Sequence, residues 1–266
     1  MSHLIKTLVA VVMLGLGACT SSPKLEIPAL RIAVENSHSK ALAAMRAGDV
    51  QGAADWWSVA LKQYQALDDW SGQGMARLGL AQSQLRLGFY SGARETLAPM
   101  LEQSLFADAQ RAQANLQVAQ VLTAKEDYDV QFVQKVLDES KRLCASPCVL
   151  LWAQLNIAAK MALHQQAWSQ GLALTEQLLQ AAPESERVER AHAYQQKALA
   201  HIGLGQYQAA LAAINAALDL DRQLARPDWL LADYRLQLAA QQALNLERDA
   251  AQTQLKIDSL CQAMQC

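Results

Sequence analysis

Aromatic residues recur along this chain at a nearly constant interval: Tyr90, Tyr128, Trp168 and Tyr207 are separated by 38, 40 and 39 residues. Val50 sits 40 residues before Tyr90. A period of this length is one supersecondary unit, whose apolar face only a stacked neighbour can bury. Two residues before three of these positions lies a glycine, at Gly48, Gly88 and Gly205. The strings Ala-Gly-Asp-Val, Leu-Gly-Phe-Tyr and Leu-Gly-Gln-Tyr each end one apolar-periodic run and begin another. They read as a helix stop, a tight turn using glycine's freedom, and a bulky residue wedged between two antiparallel helices. Composition agrees. Ala, Leu and Gln dominate, whereas an all-β chain would need more than 12 Gly and 6 Pro to make its turns.

Small residues flank each wedge at helical spacing. Ala41, Ala81, Ala119, Ala159 and Ala198 precede it by nine residues, and Ala53, Ala93, Gly171 and Ala210 follow it by three. Small residues on both helices let their axes approach closely. Large apolar residues return one turn later, at Trp57, Leu97 and Ile214. This order of small, aromatic, small and bulky positions resembles the tetratricopeptide repeat. The units centred on Val50, Tyr90, Trp168 and Tyr207 match it well. The unit around Tyr128 has Gln131 and Lys135 where its second helix should be apolar. The last unit, roughly 228–262, keeps Ala251 and Leu255. A period of 39 exceeds the family's usual 34, so helices or connections must be longer. Pro99 falls inside an expected helix and should kink it. Ser146-Pro147, Pro183 and Pro227 fall at boundaries between runs. The resemblance implies an all-α, right-handed helical-hairpin solenoid of about six pairs, occupying residues 36–266.

Ahead of it, Lys6 precedes the apolar run Leu8–Leu14, which has the size of a signal-peptide core and is short for a membrane span. The run leads into Leu16-Gly17-Ala18-Cys19, similar to the lipobox of bacterial lipoproteins. This resemblance implies a signal peptide over residues 1–18, lipid modification and acylation of Cys19, and anchorage in a bilayer. Two or three acyl chains hold a protein stably, at ~0.8 kcal/mol per buried CH₂. Thr20, in place of the Asp that favours inner-membrane retention in enteric bacteria, points to the periplasmic face of the outer membrane. Residues 19–35 read as a lipidated tether, with Pro23 and Pro28 and no helical period.

Four further cysteines remain: Cys144, Cys148, Cys261 and Cys266. An even number in an exported chain favours disulfides. In a linear solenoid the residue-146 turn and the last repeat lie more than two repeats apart. That separation favours the local pairs Cys144–Cys148 and Cys261–Cys266 over cross-pairing; a zinc site or free thiols are the alternatives.

No catalytic constellation is visible, so the chain is expected to be no enzyme, with no cofactor and no metal. A net charge of −2 without a concentrated basic face excludes a nucleic-acid binder. Gly72, Gly74 and Gly79 miss the dinucleotide spacing and read as loosening the start of a helix. His192 and His201 read as one surface and one packing residue. The charged stretch Glu184–Arg190 reads as a solvated first turn. In tetratricopeptide arrays the first helix of each pair lines a concave groove. Carried onto this sequence, that implies Arg46, Gln82, Arg86, Asn156, Lys160, His164 and Gln195 as partner-contacting residues. The recurring basic groups would suit an acidic segment or carboxyl terminus. The expected role is a membrane-anchored adaptor binding an envelope protein through a peptide or helix. A pilotin-like assembly factor for a pilus or secretion complex, and a solenoid binding a glycan or small molecule, are the alternatives.

Overall fold

The computed structural model describes residues 28–125 and 127–266. Cys19, the signal segment and most of the expected tether lie outside the described residues. Among these residues there are twelve helices and no strand: α1 Ala29–Ala47, α2 Val50–Ala66, α3 Trp70–Arg86, α4 Tyr90–Glu102, α5 Asp108–Leu122, α6 Val130–Leu143, α7 Leu151–His164, α8 Trp168–Ala181, α9 Arg187–Gly203, α10 Tyr207–Gln223, α11 Pro227–Ala243 and α12 Glu247–Met264. They form six consecutive hairpins, each packed on the next. The array begins at Ala29, earlier than the expected boundary at 36, because helical geometry sets in directly after Pro28, whose fixed φ of −55° leads into α1.

The long period resides in the helices. Seven of the twelve run 17 to 19 residues. Links of two or three residues follow most of them, between pairs as well as within them. These tight links each contain one left-handed residue: Gly48, Asp68, Gly88, Gln166, Gly205, Ala225 or Asn245. The hydrogen bonding repeats too. Asp49, Asp69, Phe89, Ala167, Gln206, Arg226 and Leu246 each donate their N–H to the carbonyl five residues back, closing the same C-terminal motif. Asp49, Asp69 and Asp129 then cap the following helix, each accepting an N–H of its first turn.

The wedge positions differ from expectation in two units. Helix α6 starts at Val130, so Val130, not Tyr128, corresponds to Val50 and Tyr90. The buried positions become Val133, Val136 and Leu137, and Gln131 and Lys135 face solvent. Helix α5 stops early, where Thr123 returns its hydroxyl to the Ala119 carbonyl at 2.9 Å, and a longer link follows. In α12 the buried residues are Ala250, Thr253 and Ile257, while Leu255 is 69 % exposed. Tyr90, Trp168 and Tyr207 are half-buried. The Trp168 ring lies on Gly203 of α9, so this wedge packs on the next pair.

Glycines in α3 form sockets and do not loosen the helix: Tyr64 fills the space beside Gly72, the Gln110 amide that beside Gly74, and Trp57 that beside Gly79. Helix α4 stops one turn after Pro99. Pro147 sits in the α6–α7 link and does not start α7, whereas Pro227 is the first residue of α11. Cys144 is bonded to Cys148 across that link, with Cα atoms 5.4 Å apart. Cys261 is bonded to Cys266 at the chain's end, with Cα atoms 4.9 Å apart. Apolar side chains gather into a series of local cores along the array, as a stack of nearest-neighbour interfaces requires.

Candidate functional site: the face of the first helices

Helices α3, α5, α7, α9 and α11 touch one another in succession, and no comparable contacts join α2, α4, α6, α8 and α10. The layer of first helices is therefore the tighter, inner layer of the array. Polar ties run across it. Gln117 on α5 reaches the Gln82 amide oxygen on α3 at 3.5 Å. Asn156 on α7 donates to the Glu189 carbonyl on α9 at 2.9 Å and to the Glu189 carboxylate. Gln195 on α9 donates to Asp233 on α11 at 2.8 Å.

The residues singled out from the sequence thus fall into two groups. Arg46, Gln82 and Arg86 lie on the first two pairs. Arg46 is exposed and turns its Nε to the Leu42 carbonyl, and Arg86 lies 3.2 Å from the Met45 sulfur. Asn156, Lys160, His164 and Gln195 lie on α7 and α9. Asn156 is buried, and its amide and that of Gln195 bind neighbouring helices together. Lys160 keeps an exposed surface, yet protein packed around its amine lowers its pKa. The His164 ring centroid lies 4.3 Å from that of Tyr128.

Sequence reasoning missed what surrounds this second group. His192 is half-buried with its ring 4.3 Å from that of Trp229, which Arg226 covers from 3.7 Å. Burial, then the nearby Lys160 and Arg226 cations, push the His192 imidazole down to about 4. Burial raises the Glu189 carboxyl, against the Asn156 hydrogen bond. The Glu184–Arg190 stretch is thus not simply solvated: Glu189 ties α9 to α7, and Arg190 donates to the Leu179 and Ala182 carbonyls at the end of α8. Deeper still, Asp221 on α10 and Asp233 on α11 face each other, 2 % and 0 % exposed. Burial first, then the partner's charge, pushes Asp221 up to about 8, and burial pushes Asp233 up to about 6. The pair lies sealed in the packed α10–α11 junction.

The open volume lies at the other end. A groove of about 720 Å³ runs between α1, α3, α5 and the stapled α6–α7 link. Leu42, Met45, Trp57 and Leu78 line one side, and Pro147, Val149 and Leu150 of the link form its lip. Its polar groups are the amides of Gln82, Gln110, Gln113 and Gln117. The last three stand three and four residues apart on α5, a one-face spacing that was readable in the sequence. Trp57 is buried with its indole N–H unpaired, and half-buried Trp56 carries Lys40 at 4.2 Å over its ring. Among the described residues no three His, Cys, Asp or Glu side chains converge as a metal site, and no helix is long and apolar enough to cross a membrane.

Fold and site together define the class: an all-helical protein of consecutive helix hairpins with a grooved inner face. No family profile and no curated protein matches the chain. Among solved structures, the TPR2AB domain–pHSP90 complex of yeast Sti1 is similar over 86 % of this chain and 91 % of that one, at 14 % identity and a TM-score of 0.36.

Proposed function

We propose that the chain is a non-enzymatic adaptor of the Gram-negative cell envelope. Lipidated Cys19 anchors it at the periplasmic face of the outer membrane, and its inner face holds a partner protein. The observation that carries this reading is the inner face itself: the first helices from α3 to α11 touch in succession, and an open groove lies where α1 stands beside α3 and α5. Rigid elements that present a preformed groove bind with little ordering cost. The lipobox-like segment before it supplies the anchor, and the basic groups Arg46 and Arg86 near the groove suit an acidic flank on the partner.

Two experiments test the two halves of this proposal. Replacing Cys19 by Ser should abolish incorporation of labelled fatty acid and release the protein from membranes; a variant that survives detergent-free washing on the membrane has another anchor. A photo-crosslinker at Gln113 on the inner face should capture one protein stoichiometrically in intact cells, and the same group at Gln208, exposed on α10, should capture none. Equal yields at both positions would remove the inner face as the binding surface.

A further inference from the structure

We propose that the groove between α1, α3, α5 and the stapled link receives an extended, uncharged, apolar segment of the partner polypeptide. This deepens the adaptor reading and rests on it. The first argument is charge complementarity. No described side chain lining the groove is ionisable, although 18 % of the chain is charged. A carboxylate or ammonium entering it would lose hydration and meet no counter-ion, whereas apolar side chains would leave water for Leu42, Met45 and Leu78. An acidic flank has its place outside, near Arg46 and Arg86.

The second argument is hydrogen bonding. The groove's polar groups are amides, each both donor and acceptor, and neutral. A polypeptide main chain presents the same alternation of N–H and C=O. Gln117 is buried, its nitrogen reaches Gln82 only at 3.5 Å, and its oxygen has no hydrogen-bond partner. An acyl chain offers nothing to such amides, and a helix has already paired its own main chain. An extended strand of peptide answers them. Its side chains would alternate between the apolar floor and the lip, where Val149 is 87 % exposed.

The test uses the full-length protein and fluorescein-labelled, end-blocked dodecapeptides in which valine, leucine or alanine alternates with serine. Anisotropy should show that these bind, and that versions with aspartate in place of serine bind at least tenfold more weakly. Val149→Asp should weaken binding of the neutral peptides tenfold or more with unfolding temperature unchanged, since the side chain stands in solvent. Gln117→Leu should do likewise, whereas Gln208→Ala should do nothing. Equal binding of the aspartate peptides overturns the proposal. So does binding of dodecanoic acid that displaces the neutral peptides and survives Gln117→Leu, which would make the groove an acyl site. Self-association abolished by Val149→Asp would make a second copy the occupant and overturn it as well. If no neutral peptide binds while Gln113 still captures a partner in cells, the groove chemistry falls and the adaptor reading stands.

Discussion

Each tight link needs one residue with positive φ, and the chain fills that position in two ways. Gly48, Gly88 and Gly205 accept it freely, whereas Asp68, Gln166, Ala225 and Asn245 hold φ between 52° and 59° with a side chain attached. For an L-residue this conformation costs roughly 1–2 kcal/mol, and asparagine and aspartate soften the cost by local hydrogen bonding. Ala225 has no such recourse and is exposed, so no contact depends on its methyl group. Ala225→Gly should therefore raise the unfolding free energy by about 0.5–1 kcal/mol, after glycine's greater chain entropy is set against the relieved strain. Gly205→Ala should lower it by a similar amount. Urea titration of both variants reads the effect; an Ala225→Gly protein no more stable than its parent would mean that the link carries no strain.

At the scale of helices, small residues do more than let axes approach. On α3 they are holes shaped by partners: Trp57 of α2 occupies the space beside Gly79. Helix propensity alone favours Gly79→Ala by about 1 kcal/mol. The added methyl would collide with the indole of a buried tryptophan, and such overpacking typically costs 1–3 kcal/mol. The two effects have opposite sign, so chemical denaturation decides between them, and a net loss of stability is expected. A stabilised Gly79→Ala protein would show that Trp57 gives way freely. The same contrast explains what was legible in the sequence. The helix-stop glycines and the alanines at fixed offsets mark geometry that backbone sterics impose locally, and they placed four of the six hairpins in register. In the Tyr128 unit an aromatic residue outweighed a better signal, the Asp-Val pair at 129–130 that repeats the capping Asp-Val pair at 49–50. The register of α12 was lost because its buried positions include a threonine, which no apolar pattern reveals. Of the inner face, the residues could be named but not their partners. Whether Asn156 or Gln195 projects outward or ties two helices depends on what stands some 35 residues away.

Over the whole array, stability is a sum of neighbour interfaces, and the last junction is set apart by its buried acids. Asp221 and Asp233 are ordinary carboxyls in the unfolded chain and are held above that range when folded, both by burial and Asp221 also by the neighbouring Asp233. The groups facing them are Gln195 from α9 and, more distantly, Arg226 and Asp228 at the start of α11. For a carboxyl whose folded pKa is raised, the stabilisation is complete below the unfolded pKa near 4 and is lost as pH rises through the folded values of about 6 and 8. His192 acts in the opposite direction. Its folded pKa is depressed to about 4, so its contribution is present above about 6.5 and declines as pH falls toward 4. Between about pH 4 and 6.5 the two trends oppose each other, and above about 6.5 only the loss from the acid pair remains, so the α9–α11 region should loosen on the alkaline side. Asp233→Asn keeps the shape of the side chain, can still accept from Gln195, and donates an amide N–H to Asp221. It should flatten the decline between pH 6 and 8.5 and raise stability at the upper end. Because repeats communicate only through neighbours, the alkaline loosening should appear first in the last pair. Hydrogen exchange, corrected for its intrinsic pH dependence, should accelerate across residues 227–264 between pH 6 and 8.5 while residues 29–100 keep their protection. Equal acceleration along the chain would mean that the protein unfolds as one cooperative bundle, and an unchanged pH profile in Asp233→Asn would mean that the buried acid pair does not set the pH response of this junction.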